Sequence, residues 1–230
     1  MPACEQNRLQ EMRPSFRCRL IVLVALGVFS SACAATEESI QKSQGYYQEG
    51  IATLSGDRQK AFVSFQRAVQ LNPKNKEARY GLGHVYAMQG KLAQAEAEFR
   101  SAIQIDDTYS EAHTYLGQVL ASQGKWDEAI QSYRAALVNP LYATPDLARF
   151  HLGRALAQRG DFQEAMESLE DAVSANPASV PPALTHLELG RVYSKLGYAV
   201  KARETLSKVK ALDKSGEYAD AATELLARLK

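Results

Sequence analysis

Cysteine is scarce in this chain and absent beyond position 33: the three residues are Cys4, Cys18 and Cys33. No intramolecular disulfide framework can hold the residues that follow, so their stability has to come from packing. Long apolar runs are also missing. The longest, Leu20 to Phe29 (LIVLVALGVF), falls short of the roughly twenty residues a helix needs to span a bilayer. No block of like charge occurs that would suggest a polyelectrolyte tail. Of the 27 Lys and Arg residues, Arg8, Arg13, Arg17 and Arg19 precede the apolar run, beside Glu5 and Glu11 of the 26 acidic residues. The remainder is almost neutral, which excludes the basic footprint of a nucleic-acid binder. No Gly-rich phosphate loop and no GxSxG elbow is present. The four histidines, His84, His113, His151 and His186, are far apart, and none has a Cys or carboxylate at metal-ligand spacing. Without a nucleophile–base constellation, the sequence reads as a binding protein. It is not an enzyme, and it uses no cofactor, metal or small-molecule substrate.

The first 32 residues run from basic to apolar to small (Ser30, Ser31, Ala32), the order of a secretory signal peptide. Met12 offers a shorter start, MRPSFRCRL. Two cleavages remain open. A general signal peptidase would leave a soluble periplasmic protein. Alternatively, Ser31-Ala32-Cys33 resembles a bacterial lipobox, although Ser30 stands where that pattern prefers an aliphatic residue. The resemblance implies acylation of Cys33 and membrane attachment through its acyl chains, each buried methylene adding about 0.8 kcal/mol. Ala34, a non-Asp residue after the cysteine, implies the periplasmic face of the outer membrane. Residues 33–41 are expected to form the lipidated end and a tether.

Beyond the tether the chain repeats itself. GHVYAMQGKLAQAEAEFRSAIQI (83–105), GQVLASQGKWDEAIQSYRAALVN (117–139), GRALAQRGDFQEAMESLEDAVSA (153–175) and GRVYSKLGYAVKARETLSKVKAL (190–212) align at steps of 34, 36 and 37 residues. Each carries a mid-repeat glycine (Gly90, Gly124, Gly160, Gly197) and an alanine five places later. A fainter copy, with Gly56 and Ala61, lies one further step upstream. Leu-Gly pairs open each clear copy at Leu82, Leu116, Leu152 and Leu189, and bulky Phe99, Tyr133 and Leu169 recur on the second half. This pattern resembles the tetratricopeptide repeat, a helix–turn–helix unit of about 34 residues. The resemblance implies an all-α fold: a right-handed superhelical solenoid of helix pairs. One pair cannot bury its own apolar face, so neighbours must stack. Repeats are expected at 42–75, 76–109, 110–143, 146–179 and 183–216. In the first, Gln48-Glu49 replaces Leu-Gly. Residues 217–230 predict one more helix, whose apolar stripe (Tyr218, Ala221, Ala222, Leu225, Leu226, Leu229) caps the last pair.

Two inter-repeat steps are stretched. At 139–153 (NPLYATPDLARFHLG) Pro140 ends one helix, and Thr144 with Pro145 starts the next, a capping residue followed by the proline that suits a first helical position. At 175–190 the insertion carries Pro181-Pro182. The first stretch is either an accommodated insertion or a recognition loop presenting Leu141 and Tyr142, with Pro145 beside them. LYATPDLARFHLG (141–153) is similar to the LYPxPxxxxxNLG stretch of the type IV pilus biogenesis lipoproteins, the pilotins that bring the pilus secretin to the outer membrane. Ala143 departs from its proline and His151 from its asparagine. This resemblance implies a secretin, or another pilus-assembly component, as partner. The alternative is a general periplasmic adaptor lipoprotein for cell-envelope enzymes or outer-membrane assembly.

In this fold first-helix residues line a concave groove able to take a helix or an extended partner segment. By register that face is expected to include Tyr46, Tyr80, His84, Met88, Gln118, Phe150, Arg154, Gln158, Arg191 and Lys195, aromatic in the middle and basic toward the C-terminus. Trp126 reads as packing. The first-helix asparagines with which chaperone-binding repeats clamp a C-terminal carboxylate are missing, which argues against a chaperone co-factor.

Overall fold

The structure, a computed structural model, describes residues 36–229. The signal segment and Cys33 lie outside the described residues. Eleven helices follow one another: α1 Glu37–Thr53, α2 Arg58–Leu71, α3 Lys76–Met88, α4 Leu92–Ile105, α5 Ser110–Ser122, α6 Trp126–Ala136, α7 Pro145–Arg159, α8 Phe162–Val173, α9 Pro182–Lys195, α10 Ala199–Leu212 and α11 Ala219–Arg228. No strand occurs among the described residues, and no helix among them is long and apolar enough to cross a membrane.

Each helix packs on its chain neighbours, giving five antiparallel pairs and a final single helix. The first helices of successive pairs (α1, α3, α5, α7, α9) also touch one another across the repeat boundary, and α9 touches α11. The backbones of the second helices do not approach one another; long side chains bridge them, Arg100 of α4 to Glu128 of α6 at 2.9 Å and Lys201 of α10 to Glu170 of α8 at 3.7 Å. An array whose first helices are close and whose second helices are splayed must curve, with the first helices on the inside. That curvature creates the concave face.

The pairs close for the reason the repeat pattern suggests. Bulky second-helix side chains lie against first-helix glycines. A Cβ on Gly117 would stand 2.5 Å from the Tyr133 ring, so only a hydrogen there lets α5 and α6 approach. Phe65, Phe99, Tyr133, Leu169 and Leu206 occupy equivalent places in the five pairs and are fully buried. The first pair lacks the Leu-Gly signature, yet it uses the same device one residue later: Phe65 lies against Gly50 and, across the boundary, Gly81. The mid-repeat glycines Gly90, Gly124, Gly160 and Gly197 adopt positive φ, the left-handed conformation that closes a helix. Gly56 does not; there the Asp57 carboxylate accepts from Lys60 N at 2.9 Å and opens α2 instead.

Helix α1 reaches back to Glu37, inside the segment expected to be tether. Thr36 explains this: its hydroxyl accepts from Ser39 N at 3.2 Å, a side-chain cap, and Glu37 and Glu38 supply the first-turn negative charge that a helix N-terminus favours. At the other end, Tyr218, Leu225, Leu226 and Leu229 of the last segment pack on a cluster of Ala183, Leu187, Leu206 and Val209.

Candidate functional site

Counting from the Leu-Gly glycine fixes which side chains reach the concave face. The places one and five residues later are His84 and Met88, Gln118 and Ser122, Arg154 and Gln158, and Arg191 and Lys195; each is exposed or half-buried. Three places before the glycine the side chains turn inward. Thr114, Phe150 and Leu187 are buried there, so Phe150 belongs to the core and does not line the groove. Tyr80 occupies the same row and is half-buried, with the rings of Phe99, Tyr109 and Tyr115 centred 5.5 to 5.9 Å away. A row of residues four apart drifts by about 40° per step on a helix of 3.6 residues per turn. A row that ends facing the groove at Met88 or Gln158 therefore begins turned toward the neighbouring helices. The place two residues before the glycine carries the groove residues instead: Tyr115 and His151, both half-buried.

Three regions result. Around α3 and α5 is an aromatic cluster of Tyr80, His84, Tyr109 and Tyr115. His84 Nδ1 is buried without a hydrogen-bond partner among the described residues, and burial lowers its pKa. Between α5, α6 and α7 is an open pocket of about 400 Å³, lined by Gln118, Ala121, Ser122, Trp126, Tyr133, His151, Arg154, Ala155 and Gln158. The Tyr133 and His151 rings are stacked, 5.8 Å between centres. Burial, then the nearby Arg154 charge, pushes the His151 pKa down to about 4, so this imidazole is neutral at ordinary pH. Toward α9, Arg191 is paired with Glu188 at 2.8 Å, which offsets part of the expected basic character there. Tyr46, at the other end, lies under the Arg67 guanidinium, 5.5 Å from its ring centre.

The stretched junction divides its candidates. Leu141 is 88% exposed. Tyr142 is buried, against expectation, and shares a 2.9 Å hydrogen bond with Thr114 Oγ1 of α5. Pro145 is half-buried at the first position of α7. Thr144 holds the N-cap position, but its side chain makes no capping bond. The second insertion is tied down too: Ser179 donates from its N and Oγ to the buried Asp146 carboxylate, at 2.6 and 2.9 Å. Both insertions are thus anchored to buried side chains of neighbouring helices, Thr114 of α5 and Asp146 of α7. Tyr142→Phe is expected to lower stability by about 1 kcal/mol, measured as a shift in urea midpoint. Leu141→Ser should change it by less than about 0.5 kcal/mol. Equal effects would be inconsistent with Tyr142 being an interior residue.

The repeat architecture is matched by two tetratricopeptide repeat models, one over residues 116–180 and one over 52–101, 86–138 and 156–229. The chain belongs to the tetratricopeptide repeat family. Comparison with curated proteins by sequence gives no match. Among solved structures the chain is similar to PilF of Pseudomonas aeruginosa, at 20% identity and TM-score 0.70, covering 84% of this chain and 90% of that one. It is similar to PilW, a widely conserved type IV pilus biogenesis factor, at 25% identity and TM-score 0.67, covering 81% and 91%. It is also similar to YrrB, a tetratricopeptide repeat protein with an unusual peptide-binding site, at 22% identity and TM-score 0.64, covering 83% and 100%. At their identities PilF and YrrB show the fold alone.

A tetratricopeptide repeat scaffold presents side chains for protein interaction. Of the residues expected in the groove, Gln118, Arg154 and Gln158 meet in one pocket. Tyr80 and His84 meet in the aromatic cluster, while Met88 and Arg191 lie apart, each exposed. Sequence reasoning missed Trp126, Tyr133 and His151 as pocket walls. The available signal was spacing: His151 precedes Arg154 by three places, one helical turn, and Trp126 is the only tryptophan in the chain.

Proposed function

We propose that this chain is an outer-membrane lipoprotein of type IV pilus biogenesis that binds the secretin subunit and promotes its localisation and multimer assembly. The observation that carries this reading is the near end-to-end correspondence with PilF and PilW, each covered over at least 90% of its length. The Cys33 lipobox and the LYATPDLARFHLG junction support it from the sequence. The mechanism is noncovalent. An acyl anchor at Cys33 holds the solenoid at the membrane, and the concave face captures a segment of the partner.

Cys33→Ala is expected to move the protein from the outer membrane to the soluble periplasmic fraction and to reduce heat-stable secretin multimers, with the repeats still folded. Fractionation, immunoblotting and circular dichroism measure the three quantities. Unchanged localisation and unchanged multimers in that variant would refute the proposal. Recovery of cell-envelope enzymes, and no secretin, with the wild-type protein would favour the general adaptor.

A further inference from the structure

We infer that the pocket between α5, α6 and α7 takes the carboxylate of an Asp or Glu side chain on an extended partner segment running along the groove. The inference rests on the concave face being the partner-binding face. Arg154 is exposed and makes no ion pair among the described residues. Its arginine neighbours on α7 and α9 are matched: Arg149 with Asp171, Arg159 with Asp127 and Arg191 with Glu188. The pocket lining contains no acidic residue. A guanidinium left without a counter-charge, beside walls that carry none, calls for an anion from outside.

The other walls suit the same group. The Gln118 and Gln158 amides and the Trp126 indole are donors with no side-chain partner among the described residues. Tyr133 is buried and is one of the pocket walls; its hydroxyl has no hydrogen-bond partner among the described residues and is not wholly enclosed, since His84 Nδ1 is the one fully buried polar side-chain atom there without a partner. Neutral His151 adds a ring nitrogen without adding repulsion. The apolar face of half-buried Trp126 can cover the methylenes of an acidic side chain. A basic side chain would meet Arg154, and an apolar one would desolvate it without compensation. The groove continues on both sides of the pocket, toward Tyr115 and His84 and toward Arg191 and Lys195. That continuity favours a side chain within a segment over a chain end.

The test is selection of a random dodecapeptide library, displayed with both ends blocked by flanking sequence, on the folded protein and on Arg154→Glu. The winning peptide is then synthesised with acetylated and amidated ends and titrated by Trp126 fluorescence. Wild type is expected to enrich Asp or Glu at one fixed place, and Arg154→Glu to replace that preference with Lys or Arg. Changing the acidic residue to its amide should weaken binding roughly tenfold or more, as for a charge-assisted bond, and should have little effect on Arg154→Ala. Enriched peptides with no acidic preference, or one indifferent to Arg154→Glu, would overturn the pocket assignment while leaving the groove intact. Binding that requires a free C-terminus would overturn the side-chain assignment in favour of a chain end. No enrichment at all would overturn the groove as a peptide site, and this inference with it.

Discussion

Phe99→Ala is expected to lower the stability of the array by about 3–5 kcal/mol, the usual cost of emptying a buried phenylalanine site. Phe99 is fully buried on α4, against Gly83 of its own pair and beside Tyr80 and Tyr115. The cavity cannot collapse easily, because two repeats share the site: α3 and α4 on one side and α5 on the other. In a solenoid each repeat is stabilised mainly through its neighbours, so the loss weakens both the second pair and its boundary with the third. At about 2–4 °C per kcal/mol for a chain of this size, the melting temperature should fall by on the order of 10 °C. Urea unfolding followed by circular dichroism measures it, with Leu141→Ser as the exposed control. A loss no larger than the control's would mean that Phe99 does not join the two repeats.

Acidification from pH 7.5 to 5 is expected to destabilise the wild-type protein more than His151→Phe. Burial, assisted by Arg154, holds the folded His151 pKa near 4, against about 6.5 in the unfolded chain. Between these values the unfolded chain takes up a proton that the folded protein refuses. Stability therefore falls as pH drops through that window. At pH 5 the contribution is about 2 kcal/mol. Phenylalanine can keep the stacking on Tyr133 and carries no proton site. The groups lining the pocket around His151 are Gln118 from α5, Trp126 and Tyr133 from α6, and Arg154 from α7 itself, so no carboxylate there titrates in the same range. His84 is also shifted downward by burial and leaves the variant some residual dependence. Asp106, held near 2 chiefly by its hydrogen bond from Lys76, loses its contribution only below the ordinary Asp range, outside the window. Denaturant midpoints of both proteins at the two pH values give the comparison. Equal slopes would assign the pH dependence elsewhere.

The groove candidates show how far periodicity carries. His84, Gln118, Arg154 and Arg191 were legible because they directly follow the Leu-Gly glycine, whose contact with the second helix fixes the rotation of each first helix. Phe150 was misplaced because the row of residues four apart drifts around the helix axis, and only packing against the next pair tells which end of the row is covered. Tyr142 was misplaced for another reason. A loop aromatic has no period, and its burial depends on Thr114, a residue 28 positions earlier. The tether boundary moved because Thr36 and Ser39 form a local cap ahead of the first repeat.

By itself the sequence determined the repeating helix pair, the number of pairs and the glycine and bulky positions of the four clear copies. These are local or nearly local, they recur at a fixed step, and each copy reinforces the same register. The tertiary structure alone decided which residues become neighbours across repeats. It brought Trp126, Tyr133, His151 and Arg154 around one pocket, left Arg154 without an acid while supplying one to Arg159 from 32 residues away, and tied Ser179 to Asp146 across 33. Such pairings follow from the angle between successive helix pairs, which is set by the summed packing of all their side chains and by no short motif.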